Sequence, residues 1–264
     1  MGRIAFLSGL PRTGSTVLGT LLAQHPDLHS TRTSCVREMM MVVRGYRLGE
    51  SPYYDLKDPN SPAWGIMRGM LHGAYEKVGK KVILEKDRAW PTDIGLLKQI
   101  IQEDPKIIAT VRPLPEIIAS FVLLSQRVPN SKIAAEVLSF NREVDIWNLS
   151  RSIWDAYVYY TWRSLKTGYD NFPECFLLLE YDQIVNEPSE TMGKICSYLG
   201  VEHHDPITTG LKNPNPENDK VYGIPGLHDV NPELKRTSPP AREVLGDECY
   251  QFWVDKQLEF WQHG

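Results

Sequence analysis

The stretch Gly9-Leu10-Pro11-Arg12-Thr13-Gly14-Ser15-Thr16 constrains the fold more than any other part of this 264-residue chain. Ahead of it, Ile4-Ala5-Phe6-Leu7-Ser8 is a short apolar run that reads as a buried strand. Behind it, Val17, Leu18, Leu21 and Leu22 recur at helical spacing until Pro26 stops the run. A glycine-bracketed turn between a buried strand and a helix is the setting of a phosphate loop. The glycines allow the tight turn, and successive backbone N–H groups can face one anion. The helix N-terminus adds a partial positive charge. Ser15 and Thr16 add hydroxyl donors.

Further along, the pattern repeats. Lys81-Val82-Ile83-Leu84, the run 106–111 and the run 175–179 read as three more buried strands. Helical patterns cover 64–78, 92–102, 115–127 and 188–199. Strands alternating with helices predict an α/β fold: a P-loop-like three-layer sandwich with a central, mostly parallel sheet flanked by helices. The longest helical stretch, 140–165, carries Phe140, Val144, Trp147, Trp154 and Val158 on one face, which predicts a core-facing stripe. Residues 205–240 lack periodicity and are rich in Pro and Gly. A long irregular loop of this kind inside a compact unit is commonly functional. No composition break marks a boundary, so residues 1–264 read as a single domain.

The loop nearly matches GxxxxGK[ST], but Ser15 stands where the lysine of a nucleoside triphosphatase belongs, and the cation comes earlier, at Arg12. The run Ile107-Ile108-Ala109-Thr110-Val111 ends in Arg112, where such an enzyme would place a metal-binding Asp. A cation there suits a second phosphate. The pattern describes a nucleotide site built for anions without Mg²⁺. That counts against a P-loop kinase, and a non-catalytic nucleotide-binding protein is the other alternative.

Composition narrows the partners. Lys plus Arg is 29 against 33 for Asp plus Glu, a net charge of −4, which excludes a general electrostatic grip on nucleic acid or a long sulfated glycan. No apolar run approaches the roughly 20 residues of a membrane span. Cys35, Cys175, Cys196 and Cys249 are scattered with no CxxC pair, which argues against a disulfide framework or zinc site and for a cytoplasmic location. His203-His204-Asp205 has no partner cluster in the sequence, so no metal is expected.

The motif Phe6-Leu7-Ser8-Gly9-Leu10-Pro11-Arg12-Thr13-Gly14-Ser15-Thr16 resembles the 5′-phosphosulfate loop of sulfotransferases that use 3′-phosphoadenosine 5′-phosphosulfate (PAPS). The Pro-Arg form, followed by a helix and His25-Pro26, is most similar to the bacterial-type and tyrosylprotein members. Ala109-Thr110-Val111-Arg112, then Ile117-Ile118-Ala119-Ser120-Phe121, resembles the family's 3′-phosphate motif. Leu178-Leu179-Glu180-Tyr181-Asp182 and Pro188 resemble its later strand and helix. The resemblance runs from about residue 4 to 201. It implies PAPS as donor, with Arg12, Thr13, Gly14, Ser15 and Thr16 on the 5′-phosphosulfate. Arg112 and Ser120 would bind the 3′-phosphate, with Tyr181 a further cofactor contact. The acceptor it implies is a hydroxyl or phenol of a small molecule rather than a protein tyrosine.

The resemblance also places a catalytic lysine at Lys86, in Leu84-Glu85-Lys86-Asp87-Arg88, where its ammonium stabilises the departing oxygen; Arg12 assists it. The general base departs from familiar patterns. Thr31-Arg32-Thr33-Ser34 replaces the Gly-Glu-Glu-Thr of tyrosylprotein enzymes, and Arg88 stands where cytosolic members carry a His. Thr33-Ser34-Cys35-Val36-Arg37-Glu38 resembles a bacterial-type stretch and makes Glu38 the candidate base, with Asp87 second. His228, in Gly226-Leu227-His228-Asp229-Val230, is expected near cofactor or acceptor. Lys235 and Arg236 come next, where relatives bind the 3′-phosphate with basic residues.

Overall fold

The computed structural model describes residues 2–45, 56–58, 60–128, 132–139, 143–221, 223–236, 238–256 and 258–263. Its centre is a five-stranded sheet in the order β2-β3-β1-β4-β5. The strands are β1 (Arg3–Gly9), β2 (Leu28–Thr33), β3 (Val82–Lys86), β4 (Ile107–Val111) and β5 (Phe176–Glu180). Every neighbouring pair is parallel. The inner strands are apolar almost throughout because parallel sheets are covered on both faces.

Alternation along each strand assigns residues to two helical layers. Ala5, Leu7, Val82, Leu84, Ile108 and Leu179 pack on helices α1 (Ser15–Leu22), α9 (Tyr181–Asn186) and α10 (Pro188–Leu199). Ile4, Phe6, Ile83 and Ile107 face the other way, onto α2 (Val36–Gly45), α3 (Pro62–Gly73) and α4 (Ile94–Ile101). A third cluster joins Ala109 and Val111 to α5 (Leu114–Arg127), α7 (Ile146–Ile153), α8 (Tyr159–Asn171), α11 (Ala241–Leu245) and α12 (Asp247–Asp255). Helix α6 (Lys132–Ser139) adds Ile133 to that cluster. Among the described residues no helix is long and apolar enough to cross a membrane.

Two expectations need correction. The stretch 64–78 is helical only to Gly73, where a turn takes over. The stripe on 140–165 is not one continuous core face. Phe140 lies outside the described residues. Val144 is 47% exposed and Trp147 38% exposed, while Val158 is buried. The helix begins only at Asp145, whose carboxylate accepts the Asn148 amide at 2.7 Å. A π-helical turn at Trp154–Val158 then rotates α8 out of phase with α7.

Candidate functional site

All parallel strands point their carboxyl ends the same way, so Gly9, Lys86, Val111 and Glu180 converge on one rim. The loop leaving β1 is held open by backbone geometry. Gly9 has φ 134° and Gly14 φ 82°. A Cβ at Gly9 would lie 2.4 Å from the Thr110 carbonyl oxygen, and one at Gly14 would lie 2.9 Å from the Tyr181 ring. Arg12, with a Cβ, also takes a left-handed φ of 61°. Thr13 is fully buried; its Oγ1 donates to the Leu10 carbonyl at 2.6 Å and lies 2.6 Å from Thr110 Oγ1. The Thr13 side chain therefore stitches the loop together. Gly14 is the N-cap of α1 and brings no side chain over the first-turn amides.

Cations crowd this loop. Arg12 Nε donates to Ser120 Oγ at 3.1 Å, and its Nη1 donates to the Leu227 carbonyl. Burial, then the charges of Arg112 and Arg88, pull the Arg12 pKa down to about 10. Arg112 is 4% exposed. Its Nε donates to Glu116 at 2.9 Å, its Nη1 to the Arg12 carbonyl at 3.2 Å, and its guanidinium stacks 4.2 Å from the Tyr181 ring centre. Arg236 braces Glu116 from behind at 2.6 Å and Asp182 at 3.1 Å. Burial opposes charge on Glu116, but Arg236 and Arg112 outweigh it and lower its pKa. Arg112 is matched by Glu116, but half-buried Arg12 beside it donates to a hydroxyl and a carbonyl, so an added anion would complete the charge balance of the loop. This crowding is the physical test of fit for a phosphate-bearing ligand, and the residues pass it.

The cleft over the loop holds about 840 Å³, open mouth included. Arg12, Gly14, Ser15, Thr16, Arg112, Ser120 and Tyr181 line it, with Arg88, His228 and Lys235. Lys86 lies in an adjoining recess shared with Ser15 and Thr16. The N–H of Lys86 donates to Thr31 Oγ1 at 2.9 Å, and its carbonyl accepts the Ser34 amide at 3.2 Å, which ties β3 to β2.

The described residues of 205–240 form a strap across this rim, clasped by a bridge between Thr209 and Glu233. From it Glu217 reaches Lys86 Nζ at 3.0 Å. Burial opposes charge on Glu217, but Lys86 outweighs it and holds the carboxylate at about 2. His228 Nδ1 lies 2.6 Å from Asp219 Oδ1, and its Nε2 lies 3.7 Å from Glu217 Oε2. Burial pulls the His228 pKa down. Neither Glu217 nor Asp219 has a local signal in the Asn- and Pro-rich stretch 213–219. The chain brings each to the rim from more than 100 residues beyond Lys86.

Glu38 is exposed in the first turn of α2, close enough to Asp87 for its charge to be felt there. Burial, then the Glu38 charge, raises Asp87 to about 6. Glu38 lines neither the cleft nor the recess. Arg236, expected on the ligand, sits behind Glu116, whereas Lys235 lines the cleft. Glu85 points away from the rim and is fully buried, accepting from Ser34 Oγ and Trp90 Nε1, with Tyr75 OH at 3.4 Å. Burial raises it to about 7.

Residues 5–205 match the profile of the sulfotransferase family. No curated protein matches the chain. Among solved structures, the sulfotransferase domain from the curacin biosynthetic pathway is similar with a TM-score of 0.58 at 14% identity, over 97% of this chain and 98% of that one. The sulfotransferase domain of the Synechococcus PCC 7002 olefin synthase gives 0.47 at 21% identity over 77% and 74%. A sulfotransferase from Alicyclobacillus acidocaldarius gives 0.47 at 15% identity over 84% and 89%. The first of these likenesses is one of fold.

Proposed function

Because this chain belongs to the sulfotransferase family, we propose that it moves a sulfonyl group from PAPS to a hydroxyl of a small-molecule acceptor. The observation that carries the proposal is the pairing of half-buried Arg12 with buried Arg112 beside the first turn of α1, with Lys86 in the adjoining recess that the same turn lines. PAPS supplies the activated sulfonyl group, and the product is adenosine 3′,5′-bisphosphate. Arg12 and the N–H groups of residues 13–16 hold the 5′-phosphosulfate. Arg112 and Ser120 hold the 3′-phosphate, with Tyr181 packed under Arg112. Lys86 donates to the bridging oxygen as its bond to sulfur breaks, where negative charge grows most.

The acceptor oxygen forms the new S–O bond and gives its proton to a base. We assign that base to His228. Its Nδ1 is occupied by Asp219, it lines the cleft, and its lowered pKa keeps Nε2 unprotonated near neutral pH. Glu38, near Asp87 and outside the cleft, fits the role less well. Among the described residues, Ser30, Thr31, Arg32, Asn213, Asn215 and Glu217 line the recess around Lys86, and no aromatic side chain does. Ser30 Oγ is buried there without a hydrogen-bond partner. That lining favours an aliphatic hydroxyl over a phenol. Four free cysteines suit a cytoplasmic setting.

The test is an acceptor screen with PAPS, reading release of the bisphosphate. Acceptor-dependent release that disappears in Lys86→Met supports the proposal. Release equal in wild type and Lys86→Met refutes it.

A further inference from the structure

Lys86 is 6% exposed, and an ammonium in such a place needs a specific reason to stay charged. Burial and the charge of Arg88, two residues on, work against the charge, while Arg32 lines the same recess from β2 and the His228 imidazole stands beside Glu217 on the strap. From α1, Ser15 and Thr16 bring only hydroxyls and amides. Glu217 is the carboxylate in contact, at 3.0 Å, and the side chains of the pair are 7% and 5% exposed.

Glu217 is itself fixed from two further directions. The oxygen that meets Lys86 also accepts the Thr33 amide at 3.3 Å and Thr33 Oγ1 at 3.2 Å, at the end of β2. Its other oxygen faces His228 Nε2 at 3.7 Å. A carboxylate gripped by β2, β3 and the strap has a defined position and cannot trail its lysine. Such contacts sharpen the aim of the ammonium as well as its charge.

We propose that Glu217 is the fixed counter-ion of Lys86, a positioning residue that keeps the ammonium charged and aimed at the first turn of α1. The ion pair stands on its own geometry; its part in transfer rests on the sulfotransferase reading above. Glu217 acts through Lys86.

Glu217→Gln keeps the shape and removes the charge. The experiment tracks Lys86 by NMR of protein labelled at the lysine ε-carbon, its signal assigned by its loss in Lys86→Met. In Glu217→Gln the titration midpoint of Lys86 is expected to fall by about one pH unit or more, the effect of an opposite charge within about 4–6 Å. Glu217→Asp, with the charge withdrawn by one methylene, is expected to fall less. An unchanged midpoint in Glu217→Gln overturns the proposal; should that variant not fold, an unchanged midpoint in Glu217→Asp does so. The alkaline limb of the kcat profile should move down with the midpoint. A falling midpoint with an unmoved limb removes the role in transfer and leaves a structural ion pair. A wild type that transfers nothing from PAPS, while the midpoint still falls, refutes the sulfotransferase reading and leaves the ion pair standing.

Discussion

Replacing Arg112 tests the donor side of the site. Of the five guanidinium N–H groups, one goes to Glu116 and one to the Arg12 carbonyl, which leaves three for a phosphate. A charge-assisted hydrogen bond contributes about 1.5–3 kcal/mol. Arg112→Ala should therefore weaken adenosine 3′,5′-bisphosphate by roughly 10- to 150-fold in Kd. Two structural details place the result within that range. Losing Arg112 relieves the repulsion that lowers Arg12, so Arg12 becomes a better anion ligand and the loss moves toward the lower end. Glu116 stays paired with Arg236, so no buried carboxylate is orphaned to destabilise the fold. Arg112→Lys keeps the charge but not the fork and should fall between the two. Calorimetric titration of the bisphosphate reads all three proteins. A Kd for Arg112→Ala within about twofold of wild type, outside the expected range, would refute the placement of the 3′-phosphate.

Lys86→Met should cut turnover by at least about 10²-fold with a smaller loss of bisphosphate affinity; equal losses in both would mean that Lys86 acts in binding. His228→Gln should slow turnover by about 10²-fold or more, most with acceptors of high pKa, and Glu38→Gln should do little; the opposite order across an acidity series of acceptors would return the base to Glu38. Glu85 gives a pH signature. Its folded pKa of about 7 lies above the ordinary 4.5, so its protonated form favours folding below about pH 4.5, and that contribution is lost as pH rises toward 7. Urea unfolding should show the stability of wild type falling relative to Glu85→Gln between pH 5 and 7, by up to roughly 1.4 kcal/mol per pH unit; a constant difference would contradict the buried, protonated carboxyl.

The buried strands and the phosphate loop were legible because each depends on local chemistry. Ile4 to Ser8 and Ile107 to Val111 are apolar enough to be covered on both faces, and Gly9 and Gly14 stand where a Cβ would collide. Strand β2 was not legible. Leu28-His29-Ser30-Thr31-Arg32-Thr33 is an edge strand that buries only Leu28 and Ser30, so it carries no apolar run. The phase break at Trp154–Val158 was likewise invisible, since a π-helical turn leaves no periodic mark. At the site, Arg12, Arg112, Ser120, Tyr181 and Lys86 do gather on one rim, as motif order suggested. The group set against Lys86 could not be read. Glu217 pairs with it across 131 residues of sequence, a contact created by how the strap folds back.

The central claim is a site for a nucleotide with both 5′ and 3′ anions, and ligand-induced thermal stabilisation tests it without knowing the acceptor. Adenosine 3′,5′-bisphosphate at 100 times its Kd should stabilise the fold by about 2.7 kcal/mol, with no added metal and with the effect reduced in Arg112→Ala. ATP with Mg²⁺ should do less. Stabilisation by ATP–Mg²⁺ with none from the bisphosphate would contradict the account.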